Sequence, residues 1–503
     1  MTVADHGRSG PAWAVHLPAG ISPDGVDLAP AANLTARMAE HWRREPGRVV
    51  LADVGGRSLT GAELDDRTAA AAGRFAGQGL VAGDRVLVSC DASLELAIVH
   101  LAALRMGLVV LPVNTAYRAE ELAHLVGDAD PVLAVVDDRE RAGWLQQAKA
   151  GLTVLGPDLA VPDHAVPALD ATTLTSPGLI GYTSGTTGRP KGAVLSHGNL
   201  LASAEAVRLA WRWTAEDRLW LCLPLFHMHG LGVGLHGTLV AGASALISPK
   251  FELDAVLEVA EAGRATMFFG VPTMYTRLAA SSRVDALARM RLLVSGSAPL
   301  PAELHHALQQ ASGARVLERY GMTETIMLVS NPYDGDRRPG TVGLPLPGVE
   351  LRLDPLNAEV LVKGPNVFSG YLGRFDANAE AFTEDGFFHT GDVGRYDEAG
   401  YLQLVARMKE LIISGGYNVY PREVEDALRE HPAVVDAAVV GVPDPEWGEV
   451  VTAFCETDGT VSGETLVAFV GDRLARYKRP KRVTVVNALP RNALGKVVKS
   501  DLR

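Results

Sequence analysis

The chain has 503 residues, 47% apolar and 21% charged, with a formal net charge of −12. That length exceeds one ordinary hydrophobic core and predicts two or more domains of globular composition. The acidic balance argues against a general nucleic-acid binder, whose phosphate partner needs a basic face. Cys90, Cys222 and Cys455 have neither CxxC nor metal-ligand spacing, which fits a reducing cytosol. No basic segment followed by an apolar leader opens the chain, and no uninterrupted apolar run reaches about 18 residues. A cytoplasmic protein without secretion signal or membrane span is expected.

Taken in order, the first 30 residues are rich in Gly, Pro and Ala and are expected to be poorly ordered at their start. Residues 84–114, "DRVLVSCDASLELAIVHLAALRMGLVVLPVN", then read as strand, helix, strand, a βαβ unit. Similar texture recurs at 124–138, at 219–249, in "ATMFFGVP" and in "LARMRLLVSGSAPLP". Strands alternating with helices imply parallel α/β layers. Beyond about residue 400 the pattern changes. Residues 410–444 read as strand, glycine turn, a helix opened by Pro421, then strand; 463–490 add a helix and a strand. The fold expected is α/β and α+β: a large domain over 1–406 with a β-rich subdomain, and a small α+β domain over 407–503. The basic run "LARYKRPKRV" (474–483) reads as a solvated face.

"GYTSGTTGRPKG" (181–192) concentrates glycines, hydroxyls and one lysine, a composition suited to closing backbone N–H groups around an anion. It is not a Walker A loop, because Pro190 precedes Lys191 and Gly192 follows, with no Ser or Thr to hold Mg²⁺. Five further segments stand in one order with it: "GSAPLP" (296–301), "ERYGMTET" (318–325), "HTGD" (389–392), "ARMKELIISGGYNV" (406–419) and "LPRNALGKV" (489–497). Together they resemble the adenylate-forming superfamily of acyl-CoA synthetases, peptide-synthetase adenylation domains and luciferases, over nearly the whole chain from about residue 45.

That resemblance implies an acyl-adenylate made from ATP with release of pyrophosphate, then displacement of AMP by a thiol. It implies ATP, Mg²⁺ and coenzyme A as cofactor and co-substrates. Thr183, Ser184, Gly185, Thr186, Thr187, Gly188 and Lys191 would wrap the β- and γ-phosphates. Gly296, Ser297, Ala298 and Pro299 would face adenine, with the Tyr320 ring on its other side and Glu318, Arg319, Gly321 and Met322 completing the nucleotide segment. Thr323 would bond the α-phosphate, Glu324 hold Mg²⁺, Asp392 accept from the ribose hydroxyls, and Arg407 donate to ribose or phosphate. Lys496 would reach the α-phosphate during adenylation, and a lysine-acylating enzyme acting there would remove its charge. Lys409 occupies the hinge position, and Ser414, Gly415 and Gly416 would line the thioester channel.

His227 matches a position near the reacting carboxylate. His229 reads equally as a core residue and as a site group, and no third ligand of zinc spacing is nearby. "GVPTMYTRL" and the stretch 318–349 look specifically like malonyl-CoA and methylmalonyl-CoA synthetases. The acid pocket then comprises Arg277, His227, Met228, Gly296 and Met322, with Arg277 receiving the second carboxylate. The product would feed fatty-acid or polyketide assembly. The alternatives are another short acid, or a carrier protein loaded in trans.

Overall fold

The computed structural model describes residues 11–183, 190–414, 417–445, 447–459, 461–492 and 495–502. The described residues divide into two compact units: one comprises those up to Glu350 with Val362–Phe388, the other Leu351–Leu361 and those from His389 onward.

In the larger unit the described residues form two mainly parallel sheets. The six-stranded sheet runs in the order Thr153–Leu155, Leu133–Val136, Arg85–Ser89, Val109–Pro112, Pro177–Thr183, Lys191–Ser196. Its last pair alone is antiparallel. The nine-stranded sheet runs Leu344–Pro345, Val329–Ser330, Val316–Tyr320, Leu292–Ser295, Met267–Gly270, Arg218–Leu221, Ser244–Ile247, Val49–Asp53, Ser58–Thr60. Its central strands are parallel and read as continuous apolar runs because both faces are covered.

The expected βαβ unit is present: the helix Leu94–Met106 joins the parallel strands Arg85–Ser89 and Val109–Pro112. Ser93 caps this helix by accepting from the Leu96 N–H, and the helix ends at Gly107, where φ of 84° suits glycine. One core gathers Leu87, Leu111, Leu122, Leu125 and Ile180; another centres on Trp220, Phe268, Tyr275 and Leu293.

The second unit holds most of a sheet of Glu350–Leu353, Glu359–Lys363, Phe388–Tyr396 and Leu402–Arg407. It also holds a sheet in which Gly448–Thr457 pairs with Ile412–Ser414, Val434–Asp444 and Arg482–Val486. The helix Pro421–Arg429 starts on its proline and buries Val424 and Leu428 against Ile412, Val439, Ala453 and Leu466. The boundary expected after residue 406 lies within this unit, beside the 3₁₀ turn Met408–Glu410. Among the described residues no helix is long and apolar enough to cross a membrane.

The larger unit buries several histidines in neutral form. His100 Nε2 lies 2.8 Å from His236 Nε2, His16 Nε2 lies 3.1 Å from the Leu344 carbonyl, and His197 is wholly buried. Burial pushes His16 and His197 down to about 4 and His100 to about 3, from 6.5. Between those values the unfolded chain binds protons that the native chain refuses. Stability is therefore full above about pH 7 and lost as the pH falls towards 4. Between pH 6 and 5 these three histidines together should cost about 3 kcal/mol. Urea denaturation followed by tryptophan fluorescence at pH 7.5, 6 and 5 should show a falling midpoint; a constant midpoint would refute the assignment.

Candidate active site

The strands Pro177–Thr183 and Lys191–Ser196 form a hairpin that brings Thr183 opposite Lys191. The expected loop residues Ser184, Gly185, Thr186, Thr187 and Gly188 lie outside the described residues. Thr323 packs on this hairpin at a point where only glycine fits: a Cβ on Gly181 would stand 2.4 Å from Thr323 Cγ2. Gly321 is equally committed, since a Cβ there would meet the Ile326 carbonyl oxygen at 2.1 Å. The turn they define presents Glu324, 4% exposed, whose Oε1 accepts the Tyr371 hydroxyl at 3.0 Å. Lys191 Nζ lies 5.3 Å from the centre of the Tyr371 ring. Thr183, Lys191, Thr323 and Glu324, far apart in sequence, thus share one locality. Sequence reasoning missed Tyr371, because an aromatic residue in a glycine-flanked stretch carries no local sign of what its hydroxyl reaches.

A second group forms where the strand Leu292–Ser295 runs into Gly296 and Ser297, the latter at φ 69°. Glu318 holds the following turn by accepting the Leu300 N–H at 2.9 Å, with Ala298 and Pro299 inside it. Tyr320, buried at the end of the strand Val316–Tyr320, follows directly. Arg319 presses its guanidinium on Gly296, where a Cβ would lie 2.3 Å from Cζ. This arginine is 5% exposed, and neither Nε nor Nη2 has a hydrogen-bond partner among the described residues. Burial lowers its pKa to about 9.

Beside it, His229 Nδ1 is 3.3 Å from Ser297 Oγ, and burial, then Arg319 and His227, pulls the His229 pKa well below the ordinary range. His229 begins a π-helical turn, His229–Leu235, which follows directly on His227 and Met228. A Cβ on Gly232 would contact Ile326 Cγ2 at 3.1 Å and Met228 Sδ at 3.5 Å, so Met228 lies close to the turn bearing Met322 and Thr323.

Arg277 is not in this group. It is exposed on the helix Pro272–Ala279, its guanidinium 5.0 Å over the Phe251 ring, while Tyr275 and Leu278 face the core. Arg277 thus stands on an exposed helix face and not in the closed pocket expected for it, whereas Arg319, expected on the nucleotide side, is buried against Gly296.

In the second unit, Asp392 is 4% exposed and faces Arg407 across paired strands, with Oδ1 2.9 Å from Arg407 Nε. Lys496 closes a tight turn in which the Asn492 side chain accepts the Lys496 N–H at 3.0 Å and Gly495 adopts φ 74°. Burial first, and then Arg407, lowers the Lys496 ammonium pKa; Glu410 and Asp392 oppose them. Lys409 lies in the 3₁₀ turn Met408–Glu410, and Ser414 is buried at the end of Ile412–Ser414. Gly415 and Gly416 lie outside the described residues.

Residues 38–372 match the family model described as AMP-binding enzyme, and 423–496 match that of the AMP-binding enzyme C-terminal domain. A malonate–CoA ligase of Arabidopsis thaliana is 35% identical over 481 residues, covering 86% of this chain and 79% of the relative. A feruloyl-CoA synthase of an Amycolatopsis species is 38% identical over 469 residues, covering 89% and 94%. The crystal structure of ATP-bound MatB from Rhodopseudomonas palustris superimposes with a TM-score of 0.89 at 41% identity, covering 94% of this chain and 98% of that one.

The contact between Gly181 and Thr323 can be checked directly. Gly181→Ala should push Thr323 off the hairpin and lower stability by about 1–3 kcal/mol, as overpacking does. Chemical denaturation measures this, and parental stability would mean that the two elements part freely.

Proposed function

The chain belongs to the family of AMP-binding enzymes, and we propose that its acid substrate is a small dicarboxylate, malonate or methylmalonate. The family chemistry is ligation of an acid to coenzyme A through an acyl-adenylate, using ATP and Mg²⁺. A carboxylate oxygen attacks the α-phosphorus and pyrophosphate leaves; the thiol sulfur then attacks the acyl carbon and AMP leaves. Both partners of the first step are anionic, so the site must supply cations and N–H donors where negative charge accumulates.

Thr183, residues 184–188 and Lys191 serve the β- and γ-phosphates, Thr323 the α-phosphate, and Asp392 and Arg407 the ribose. Glu324 offers the hard oxygen donor that Mg²⁺ requires. When bound, the ion neutralises charge on phosphate oxygens. Lys496 acts at the α-phosphate with a weakened hold on its proton, and Lys409 marks the hinge. Ser414 borders the path of the thiol.

The dicarboxylate assignment rests on the two open donors of Arg319. Nε and Nη2 form one edge of the guanidinium, and this edge matches the two oxygens of a single carboxylate. A buried guanidinium whose Nε and Nη2 lack partners is costly even with Glu318 nearby, and the distal carboxylate of malonate would relieve that cost as it binds. Acetate or an aromatic acid such as ferulate leaves the arginine unsatisfied, so one group both attracts the dianion and disfavours its competitors. Met228, close to the Thr323 turn, and Met322 within it would border the 2-substituent, where the adaptability of methionine suits an added methyl group.

Arg319→Ala should reduce kcat/KM for malonate by the equivalent of about 2–5 kcal/mol and narrow its advantage over acetate. Arg277→Ala should change that ratio far less. Competition assays with malonate, methylmalonate, acetate and ferulate decide the matter: an unchanged malonate-to-acetate ratio in a folded Arg319→Ala protein refutes the dicarboxylate reading.

Lys496→Ala should slow pyrophosphate release by about 10²–10³-fold while sparing thioester formation from supplied acyl-adenylate. Because the Lys496 pKa is lowered, adenylation should decline on the alkaline side before an ordinary lysine would lose its proton. Equal loss of both half-reactions in Lys496→Ala would assign the lysine a structural role.

A further inference from the structure

We propose that Tyr371 is a positioning residue for adenylation, holding the Glu324 carboxylate through its hydroxyl and the Lys191 ammonium over its ring. The proposal rests on the reading of Glu324 as the Mg²⁺ ligand and Lys191 as a phosphate lysine, and it is independent of which acid is used.

The segment 366–372 ties together the two elements that carry those groups. At one end, Asn366 Nδ2 donates to the Thr325 and Met327 carbonyls at 2.8 and 2.7 Å, and the Phe368 N–H donates to the Glu324 carbonyl at 2.8 Å. At the other, the Leu372 N–H donates to the Gly192 carbonyl at 2.8 Å and the Val194 N–H to the Gly370 carbonyl at 3.0 Å. Tyr371 itself pairs with Ala193. Its backbone is fixed on both sides by Asn378, which accepts the Tyr371 N–H at 2.6 Å and donates to its carbonyl at 3.0 Å. The Phe368 ring meets the Tyr371 ring edge-on at 4.8 Å. Few degrees of freedom remain for the phenol.

Tyrosine suits this place for two reasons. The phenol hydroxyl is an uncharged donor to the Glu324 carboxylate, so it orients that group without adding charge next to a dication. The ring face attracts an ammonium without neutralising it, whereas a carboxylate there would pair with Lys191 and draw it from the phosphates. A purely structural aromatic would need the ring alone, and that difference makes the role testable.

In the test, ATP binding is measured by calorimetry without any acid, in Mg²⁺ and in EDTA, for the parent, Tyr371→Phe, Tyr371→Leu and Glu324→Gln; Mg²⁺ is then titrated in a pyrophosphate-release assay. Tyr371→Phe should require about tenfold more Mg²⁺ and bind ATP about tenfold more weakly in Mg²⁺. Its ATP affinity in EDTA and its KM for the acid should match the parent. Tyr371→Leu, lacking the ring, should also bind ATP more weakly in EDTA. Parental Mg²⁺ dependence in Tyr371→Phe, or equal loss with and without Mg²⁺, overturns the proposal while leaving Glu324 as ligand. A Glu324→Gln protein with parental Mg²⁺ dependence overturns both. Failure of malonate as substrate touches neither, since ATP affinity in Mg²⁺ against EDTA is compared without acid and by itself separates these outcomes.

Discussion

The arrangement of the larger unit depends on the contact between Gly181 and Thr323. A hairpin strand and a tight turn approach so closely that a single added carbon would stand 2.4 Å from a methyl group. This approach sets Thr323 and Glu324 beside Thr183 and Lys191, and without it the hairpin and the carboxylate would belong to separate surfaces. Close backbone approach is a use of glycine unrelated to left-handed φ, and it explains why glycines recur here inside regular elements. Gly296 under Arg319 and Gly321 against the Ile326 carbonyl follow the same rule.

The treatment of buried charge separates structural from functional arginines. Arg105, 1% exposed, lies 2.7 Å from Asp65 and 3.1 Å from Asp170, and Arg291 lies 2.6 Å from Asp217. Each of these arginines is thus paired with a carboxylate, as burial of charge demands. Arg319 is buried to a similar degree with an open donor edge and a lowered pKa. This contrast within one chain is what the proposed role of Arg319 rests on. The neighbouring His229, kept neutral by burial and by Arg319, adds a polar group without a competing charge.

Lys496 represents the opposite compromise. Its ammonium is partly desolvated and lies in a field shared by Arg407, Lys409, Glu410 and Asp392. A lysine so placed retains its charge weakly, and an anion arriving nearby would strengthen it. Its chain direction is set by the Asn492–Lys496 turn, whose geometry requires the left-handed Gly495.

The sequence alone determined the alternation of strands and helices, because apolar runs, caps and glycine punctuation are local properties. The βαβ unit at 85–112 and the helix beginning at Pro421 fell where their patterns predicted. The motif order likewise identified the family of AMP-binding enzymes. What it could not determine was which arginine is buried. Neither Arg277 nor Arg319 carries a local sign of burial along the chain, and only packing against Phe251 or against Gly296 distinguishes them. Tyr371 was invisible for the same reason: its partners, Glu324 and Lys191, are 47 and 180 residues away, and their meeting is decided by strand pairing across the hairpin rather than by any local pattern.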